Sequence, residues 1–495
     1  MKNLKYIIIS LIAVLLLWNC EDFLDFRQEG TLPTTGIDYT KSENIFLSVS
    51  AAYAKLRNWG AHVFPYIGAF EIASDNADKG STPEDNPEMR DIDNLNFQPT
   101  NGLINALWTG YYDIVSGANY AIHQMPLFVQ NLQNKSDRDY AIQCQGEAKV
   151  IRAYAYFNLT RLFGRVPIVD TVLSSEQLAS LSQASTSELY AFIEKDLEEA
   201  IAVLPDGYTK EWGGRISKYT AMAIKAKVHL YQSEWDSVAS LTDKIIASGR
   251  FRLLDNFREV FSLDGENSKE SLFEIQSSTL GKSSGDAAYL EYGYVQGPRG
   301  NSPANMQGWG FCTPSQNLID FYNSRGEVIR PATTLLYRGT KTPEGDSIMT
   351  RCTNPVYNGK VYTPSSQNRW VYNGYGFDHN IRVIRYSDIL LMYAEALVQG
   401  AAVPLTCGLS ADNALNMVRS RAGLPSINGA TLQDIWNERR AELAMEEDRY
   451  FDLVRTNQAA TALASKGFVV GKHEHYPIPA AQMQLNPNLT QNSGY

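Results

Sequence analysis

RYSDILLMYAEALVQG at 385–400, ALNMVRSRAGLP at 414–425 and IWNERRAELAMEEDRYFDLVR at 435–455 form the stretch whose reading decides the fold. In the first block Tyr386, Ile389, Leu390, Tyr393, Ala396 and Leu397 recur at intervals of three and four. That spacing puts them on one face of an α-helix. The second block predicts a helix over 412–421 that buries Leu415 and Val418. Gly423 and Pro425 stop it, since Gly accepts the left-handed conformation after a helix and Pro cannot continue one. The third predicts one helix from Thr431 towards Arg455, with Leu432, Ile435, Trp436, Leu443, Tyr450 and Val454 as its apolar stripe.

Charges crowd that third stripe. Arg439, Glu442, Glu446 and Arg449 follow at spacings of 3, 4 and 3 and alternate in sign. A solvated charged face is one reading. The Trp, Leu and Tyr beside them favour a partly buried ion network, whose members must be paired to be tolerated. Catalytic carboxylates are the weakest reading, because an Arg within one turn of each acid keeps it ionised.

Three blocks in this order resemble the C-terminal signature of the SusD/RagB family of bacterial nutrient-binding lipoproteins. The residues that carry the resemblance are Arg385-Tyr386-Ser387-Asp388, Tyr393-Ala394-Glu395-Ala396, Asn416 to Leu424, and Glu438-Arg439-Arg440-Ala441-Glu442-Leu443 followed by Glu446, Arg449-Tyr450-Phe451-Asp452-Leu453 and Arg455. Arg152-Ala153-Tyr154 with the stretch 157–167 matches a second family pattern, and the ending Tyr476-Pro477-Ile478-Pro479 with Asn486-Pro487 a third. The resemblance covers nearly the whole mature chain. It implies a mainly α SusD-like fold, in which irregular tetratricopeptide-type helix pairs pack against a loop-rich ligand-binding lobe with short strands.

Composition agrees with a globular chain. It has 495 residues, 44% hydrophobic and 20% charged, enough for a large core. The net charge of −10 argues against a nucleic-acid partner, which would want a basic face. At the amino terminus Lys2 and Lys5 precede a short apolar run over 6–18, the pattern of a secretory signal. The run ends at Cys20, placed like the acylated Cys of a bacterial lipoprotein, although Trp18-Asn19 stand where small residues are usual. The expected organisation is a signal peptide over 1–19, a lipidated tether over 20–40, a helical-repeat region over 41–250 and a C-terminal region over 265–495, the last two forming one intimate unit. Cys144 reads as a buried thiol, and Cys312 with Cys352 as a pair that an oxidising exterior would allow to bond.

Along the body, helices are expected over 43–58 with Ser42 as cap, 102–123, 137–163 ended by Gly164, from Ser185 or Ser187 to Leu204, 217–233 and 236–248. Such helix–turn–helix units, about 34 residues each, resemble tetratricopeptide repeats. The stretch 59–100 reads as a long irregular loop and 272–276 as a short strand. From 279 to 379 the chain is rich in Gly, Ser, Asn, Pro and aromatic residues with little helical spacing, so some rings should line a groove.

The candidate ligand site joins 59–100 to 289–377. Trp309, between Gly308 and Gly310, is the first choice as a platform for the C–H face of a sugar, because no neighbouring β-carbon blocks approach. Its alternative role is to pin the loop on the helices. Trp370, Tyr292, Tyr294 and Tyr372 are further rings, and Asn86 and Arg90 the polar partners. Gly281-Lys282-Ser283-Ser284-Gly285 fits the hydrolase string G-x-S-x-G but lacks a helix directly behind it. His473-Glu474-His475 lacks a third zinc ligand and reads as a surface strand; Asp75, Asp78 and Asp85 read as solvated acids rather than a calcium site. No P-loop, Rossmann fingerprint or EF-hand loop occurs, so no cofactor or metal is expected.

The resemblance implies a non-enzymatic, lipid-anchored protein on the outer membrane of a Bacteroidetes-type bacterium. Such a protein binds a glycan or oligosaccharide and passes it to a SusC-like TonB-dependent transporter. Capture of peptides or another nutrient, a surface hydrolase, and a scaffold without a ligand are the alternatives.

Overall fold

The charged signature turns inward in the computed structural model, which describes residues 36–278, 291–302, 307–367 and 379–495. Two compact units divide the chain, Met1–Asp38 and Tyr39–Tyr495, and every element named below belongs to the second. Its long helices are α1 (Glu43–Lys55), α2 (Gly102–Asn131), α3 (Lys135–Phe163), α4 (Thr186–Val203), α5 (Lys218–Tyr231), α6 (Trp235–Ala247), α7 (Tyr386–Val398), α8 (Ala411–Arg421), α9 (Leu432–Leu443) and α10 (Arg449–Arg455). Successive helices pack in order: α2 on α3, α3 on α4, α4 on α5, α5 on α6, then α6 on α7 and α7 on α8 and α9. The fold is mainly α, with irregular helix pairs against a loop-rich part that holds short strands. Among the described residues no helix is long and apolar enough to cross a membrane.

Local chemistry explains most boundaries. Ser185 closes a capping box with Glu188 at the start of α4, and Ser217 one with Thr220 at the start of α5. Gly164 ends α3 with φ +70°. Ser42 makes no side-chain cap, contrary to expectation. Helix α2 runs two turns past the expected 123, through Pro126. A proline there leaves the carbonyl of Ile122 without its helical donor. The Gln145 amide on α3 donates to that oxygen at 3.1 Å instead.

Among the described residues, six short strands form three antiparallel pairs. They are β1 (Ala77–Gly80), β2 (Ser271–Ile275), β3 (Phe311–Pro314), β4 (Leu335–Tyr337), β5 (Val356–Asn358) and β6 (Ile381–Arg385), paired β1 with β3, β2 with β6 and β4 with β5. The β2–β6 register sets Ser271 opposite Arg385 and so delivers Arg385 beside Glu270.

Two expectations need correction. The stretch 59–100 is not an irregular loop: it carries helices Trp59–His62, Phe64–Ile67 and Pro87–Asp93, a π-helical turn at Gly68–Ile72 and strand β1. From Gly60 to Ala77 every residue is buried. A segment buried on all sides shows no amphipathic period, which is why the sequence pattern did not reveal it. Nor is 431–455 one helix. It breaks between α9 and α10, where Met445 and Glu447 take φ of +65° and +60°. The buried Glu71 carboxylate accepts the backbone N–H groups of both residues at 3.0 Å, which holds this left-handed turn without a glycine.

The signature charges form a buried ion network whose partners come mostly from elsewhere. Arg385, 2% exposed, donates to Glu270 at 2.6 Å, Glu442 at 2.9 Å and Glu446 at 2.7 Å. Glu442 also meets Arg421 and Arg330, and Glu438 meets Arg330, Arg325 and Arg419. Arg439 reaches Asp388 at 2.5 Å, Arg449 binds Asp75 at 2.7 Å, and Arg455 binds Glu395 at 2.7 Å. Burial alone would raise the Glu442 carboxyl, but Arg421, Arg385 and Arg330 hold it far below the usual carboxylate range.

The segment 476–492 threads back over the first half. Tyr476 N–H donates to Leu162 O at 2.7 Å, its hydroxyl to Ala69 O at 3.0 Å, and Ala480 N–H to Pro99 O at 2.8 Å. Asn492 Nδ2 donates to Phe163 O at 3.0 Å and Asn486 Nδ2 to Leu181 O at 2.8 Å. His473 is buried in a turn, not on a surface strand, and its Nδ1 accepts from Val469 N at 2.9 Å. Cys144, Cys312, Cys352 and Cys407 are free thiols, so Cys312 and Cys352 are not paired. Burial pushes the Cys144 thiol up to about 12.

Candidate ligand-binding site

The cleft is built where the β1–β3 ribbon meets the helices of 59–67. Gly80 lies opposite Phe311 in that ribbon, and the N–H of Ser81 donates to Gly310 O at 2.6 Å. These bonds clamp the Gly308–Phe311 strip against the early segment. Trp309 N–H donates to Tyr294 O at 3.0 Å, which ties the strip to the short helix Tyr292–Gln296. The glycines beside Trp309 serve this packing: a β-carbon on Gly308 would lie 2.4 Å from Gly297 Cα, and Gly310 has φ +76°.

A cleft of about 590 Å³ results, lined by Trp59, Phe64, Asp85, Asn86, Tyr294, Arg299, Gln307 and Trp309 among others. Trp309 is half-buried and Trp59 is 41% exposed. Phe64 stands between them, its ring centroid 6.2 Å from Trp309 edge to face and 5.9 Å from Trp59. Tyr294 meets Trp309 at 5.9 Å and 79°. The rings therefore brace one another, while both tryptophans keep part of their surface exposed.

The polar side is preorganised. Arg299 forms an ion pair with Asp85 and donates to Ser81 Oγ at 2.7 Å. Ser81 Oγ contacts Asp85 at 2.7 Å and Trp309 O at 2.8 Å. The Ser81 hydrogen bond, with Thr82 and Arg299, holds the Asp85 carboxyl below its ordinary value. Asn86 sits at φ +45° and caps Pro87–Asp93 by accepting from Met89 N at 2.8 Å. Asp85 is the one acid among the described residues lining the cleft, and it is already paired with a guanidinium.

Of the residues singled out from sequence, Trp309, Tyr294 and Asn86 meet in this cleft. Tyr292 does not: it is buried, and its hydroxyl donates to Glu447 at 2.5 Å. Two residues along a short helix turn a side chain to the opposite side, so one tyrosine faces the cleft and the other the interior. Arg90 is exposed on the helix behind Asn86 and does not line the cleft. Trp370, Tyr372, Cys20 and the string 281–285 lie outside the described residues. Sequence reasoning missed Trp59, Phe64, Arg299 and Gln307; Asp85 it read only as a solvated acid. The available signal was Trp59 itself, a large ring next to a polar Arg57-Asn58 pair. Asp75, weighed for calcium, is instead committed to Arg449 and Arg440.

A second concavity of about 630 Å³ runs along α2, with Trp108, Val115, Val169, Leu173, Leu181 and Leu485 in its walls. The Tyr112 hydroxyl there is spent on Pro167 O at 2.7 Å. Polar groups in its walls are likewise engaged, Asp113 by Lys55, Asn119 with Val169 O and Gln482 with Asn105.

Comparison with known proteins agrees with the architecture. A family model described as "SusD family" matches residues 332–495, and one described as "Starch-binding associating with outer membrane" matches 22–230. The chain belongs to the SusD family. A SusD-like protein of Formosa agariphila is 26% identical over 100% of this chain and 99% of its own length. Among solved SusD-family structures, a laminarin-binding SusD-like protein superposes with a TM-score of 0.78 at 27% identity, covering 92% of this chain and 99% of its own. Surface glycan-binding protein A from Bacteroides thetaiotaomicron gives 0.77 at 25% identity, covering 92% and 99%.

Proposed function

We propose that this chain is a surface glycan-binding protein that takes an oligosaccharide into the Trp59–Trp309 cleft and carries out no covalent chemistry on it. The observation that carries the reading is the meeting of two partly exposed tryptophans with a fixed polar edge of Asp85, Asn86 and Arg299 in one cleft. Sugars present an apolar C–H face to aromatic planes and hydroxyls to amides and charged groups. A relative at 27% identity is described as laminarin-binding, which makes a β-glucan the first ligand to test. Within the same reading, residues 1–19 are a cleaved signal, Cys20 carries the lipid that holds 20–40 to the outer membrane, and 41–250 and 265–495 act as one body. That body hands its ligand to a SusC-like TonB-dependent transporter.

The deciding experiment is calorimetry of the soluble form lacking Cys20 with laminarin oligosaccharides and a wider glycan panel, followed by analysis of the incubated glycans. Binding without cleavage products supports the proposal. Cleavage would make the protein a hydrolase, and no binding by any glycan would turn the search to peptides and other nutrients. For the anchor, Cys20→Ala should leave the membrane fraction; fractionation like wild type, with no acyl mass on the native protein, would reject it.

A further inference from the structure

The helical repeats carry a second cluster with ligating chemistry, independent of what the cleft binds. Glu194 on α4, His229 near the end of α5 and Glu234 in the α5–α6 turn each turn one donor atom to a common point, all within 4.8 Å of one another. His229 is 6% exposed and its Nδ1 bonds the Glu234 carboxylate. The turn is shaped to bring that carboxylate back. Ser233 takes φ +58°, and Glu234 N–H donates to His229 O at 3.0 Å. Gln232 Nε2 donates to Glu194 Oε1 at 2.7 Å and steadies the third group.

Charge bookkeeping sets this cluster apart. The neighbouring acids of α4 each have a cation: Asp196 has Arg152, Glu199 has Lys149, and Glu198 has Lys225 at 3.8 Å. Among the described residues neither Glu194 nor Glu234 has a Lys or Arg at ion-pair distance; Glu234 has only the imidazole. Two carboxylates and a buried imidazole nitrogen are a mixed nitrogen–oxygen donor set. Calcium and magnesium prefer oxygen alone, whereas zinc and its first-row neighbours take imidazole with carboxylate.

We propose that Glu194, His229 and Glu234 form a divalent transition-metal site, suited to Zn²⁺, that fastens α4 to the α5–α6 turn. Zinc bonds of about 2.0–2.2 Å require the donor atoms to draw closer together. Glu194 is half-buried and the Glu234 side chain 46% exposed, so both carboxylates have room to close, and water completes the coordination. The test uses the folded, metal-free protein and ZnCl₂ in calorimetry and thermal melts, with CoCl₂ absorption to report nitrogen ligation. The expected result is one Zn²⁺ per chain with a micromolar Kd and a melting temperature that rises with Zn²⁺. E194Q and E234Q should each weaken binding at least tenfold while melting normally without metal. His229→Gln should abolish the cobalt spectrum. No heat and no melting shift at millimolar Zn²⁺ would overturn the proposal. So would wild-type affinity in both glutamine variants, which would place the bound metal at other histidines.

Discussion

The ion network around Arg385 and the cleft around Trp309 use the same residue types to opposite ends. In the network each guanidinium is buried and answered by carboxylates from distant segments, and the charges cancel inside the protein. In the cleft the single ion pair, Arg299 with Asp85, is about one-third exposed on both sides, and the tryptophans beside it keep part of their surface exposed. The first arrangement spends most of its hydrogen-bonding capacity on itself. The second leaves capacity for something else. The residues that make the chain recognisable are therefore not those that would choose its ligand.

The largest effect expected from this contrast is in the network. Glu442→Ala takes one carboxylate away from Arg330, Arg385 and Arg421, leaves excess positive charge in the interior and should cost about 3–5 kcal/mol by urea denaturation. Weaker glycan binding at an unchanged melting temperature would break the division between the two regions.

Next in size is a pH effect from the acids beside the network. Burial pushes the Glu71 carboxyl from 4.5 up to about 7, against the hydrogen bonds it accepts, and burial with Glu71 nearby pushes Glu447 up as well. A raised acid holds its proton in the folded chain over a range where the unfolded chain has lost it. Its stabilisation is full below about pH 4.5 and disappears as pH rises through about 7. The paired acids Glu442, Glu446 and Asp452 are held low, so their contribution runs the other way and is lost in acid. Glu71 should thus contribute a fall of about 2–3 kcal/mol between pH 5 and pH 8, set against the opposite contribution of the imidazole of His62, which burial holds low. In Glu71→Gln that fall should shrink markedly. Denaturation curves at the two pH values measure it, and an equal slope in the variant would remove Glu71 as the cause.

In the cleft, Trp309→Ala should weaken oligosaccharide binding by about 1–3 kcal/mol, or one to two decades, by analogy with base–aromatic stacking. Its circular dichroism and melting temperature should stay near wild type. Unchanged affinity would exclude Trp309 from the site; a collapsed melting temperature would mean that the ring only pins the loop. The smallest effect belongs to Arg90→Ala. With Arg90 exposed and outside the cleft lining, stability should move by less than about 0.5 kcal/mol and affinity by less than about twofold. A tenfold loss in calorimetry would extend the site along the Pro87–Asp93 helix.

What was legible from sequence follows the range of the forces involved. Helices α7 and α8, the capped start of α4 and the bounds of α5 were readable because period and capping are local. The need for buried pairing was readable from Arg439 to Arg449. The partners were not, since Glu270, Arg330 and Lys360 arrive from other parts of the chain. The break after Leu443 was hidden because Met445 and Glu447 occupy conformations normally given to glycine, held there by Glu71 from 374 and 376 positions away. Trp309 and Asn86 were legible as candidates. Tyr292 and Tyr294 could not be told apart until the hydrogen bond to Glu447 assigned the former to the interior.

The returning segment 476–492 has a consequence for how the protein comes into being. Its backbone, amide and hydroxyl groups complete Leu162, Phe163, Pro99 and Ala69, residues made some three hundred or more positions earlier. The early helices therefore leave the ribosome with sockets that only the last-made residues can fill. Contacts of such long sequence separation slow folding, because a large loop must close before any reward is gained. The chain is poorly suited to folding in stages as it emerges.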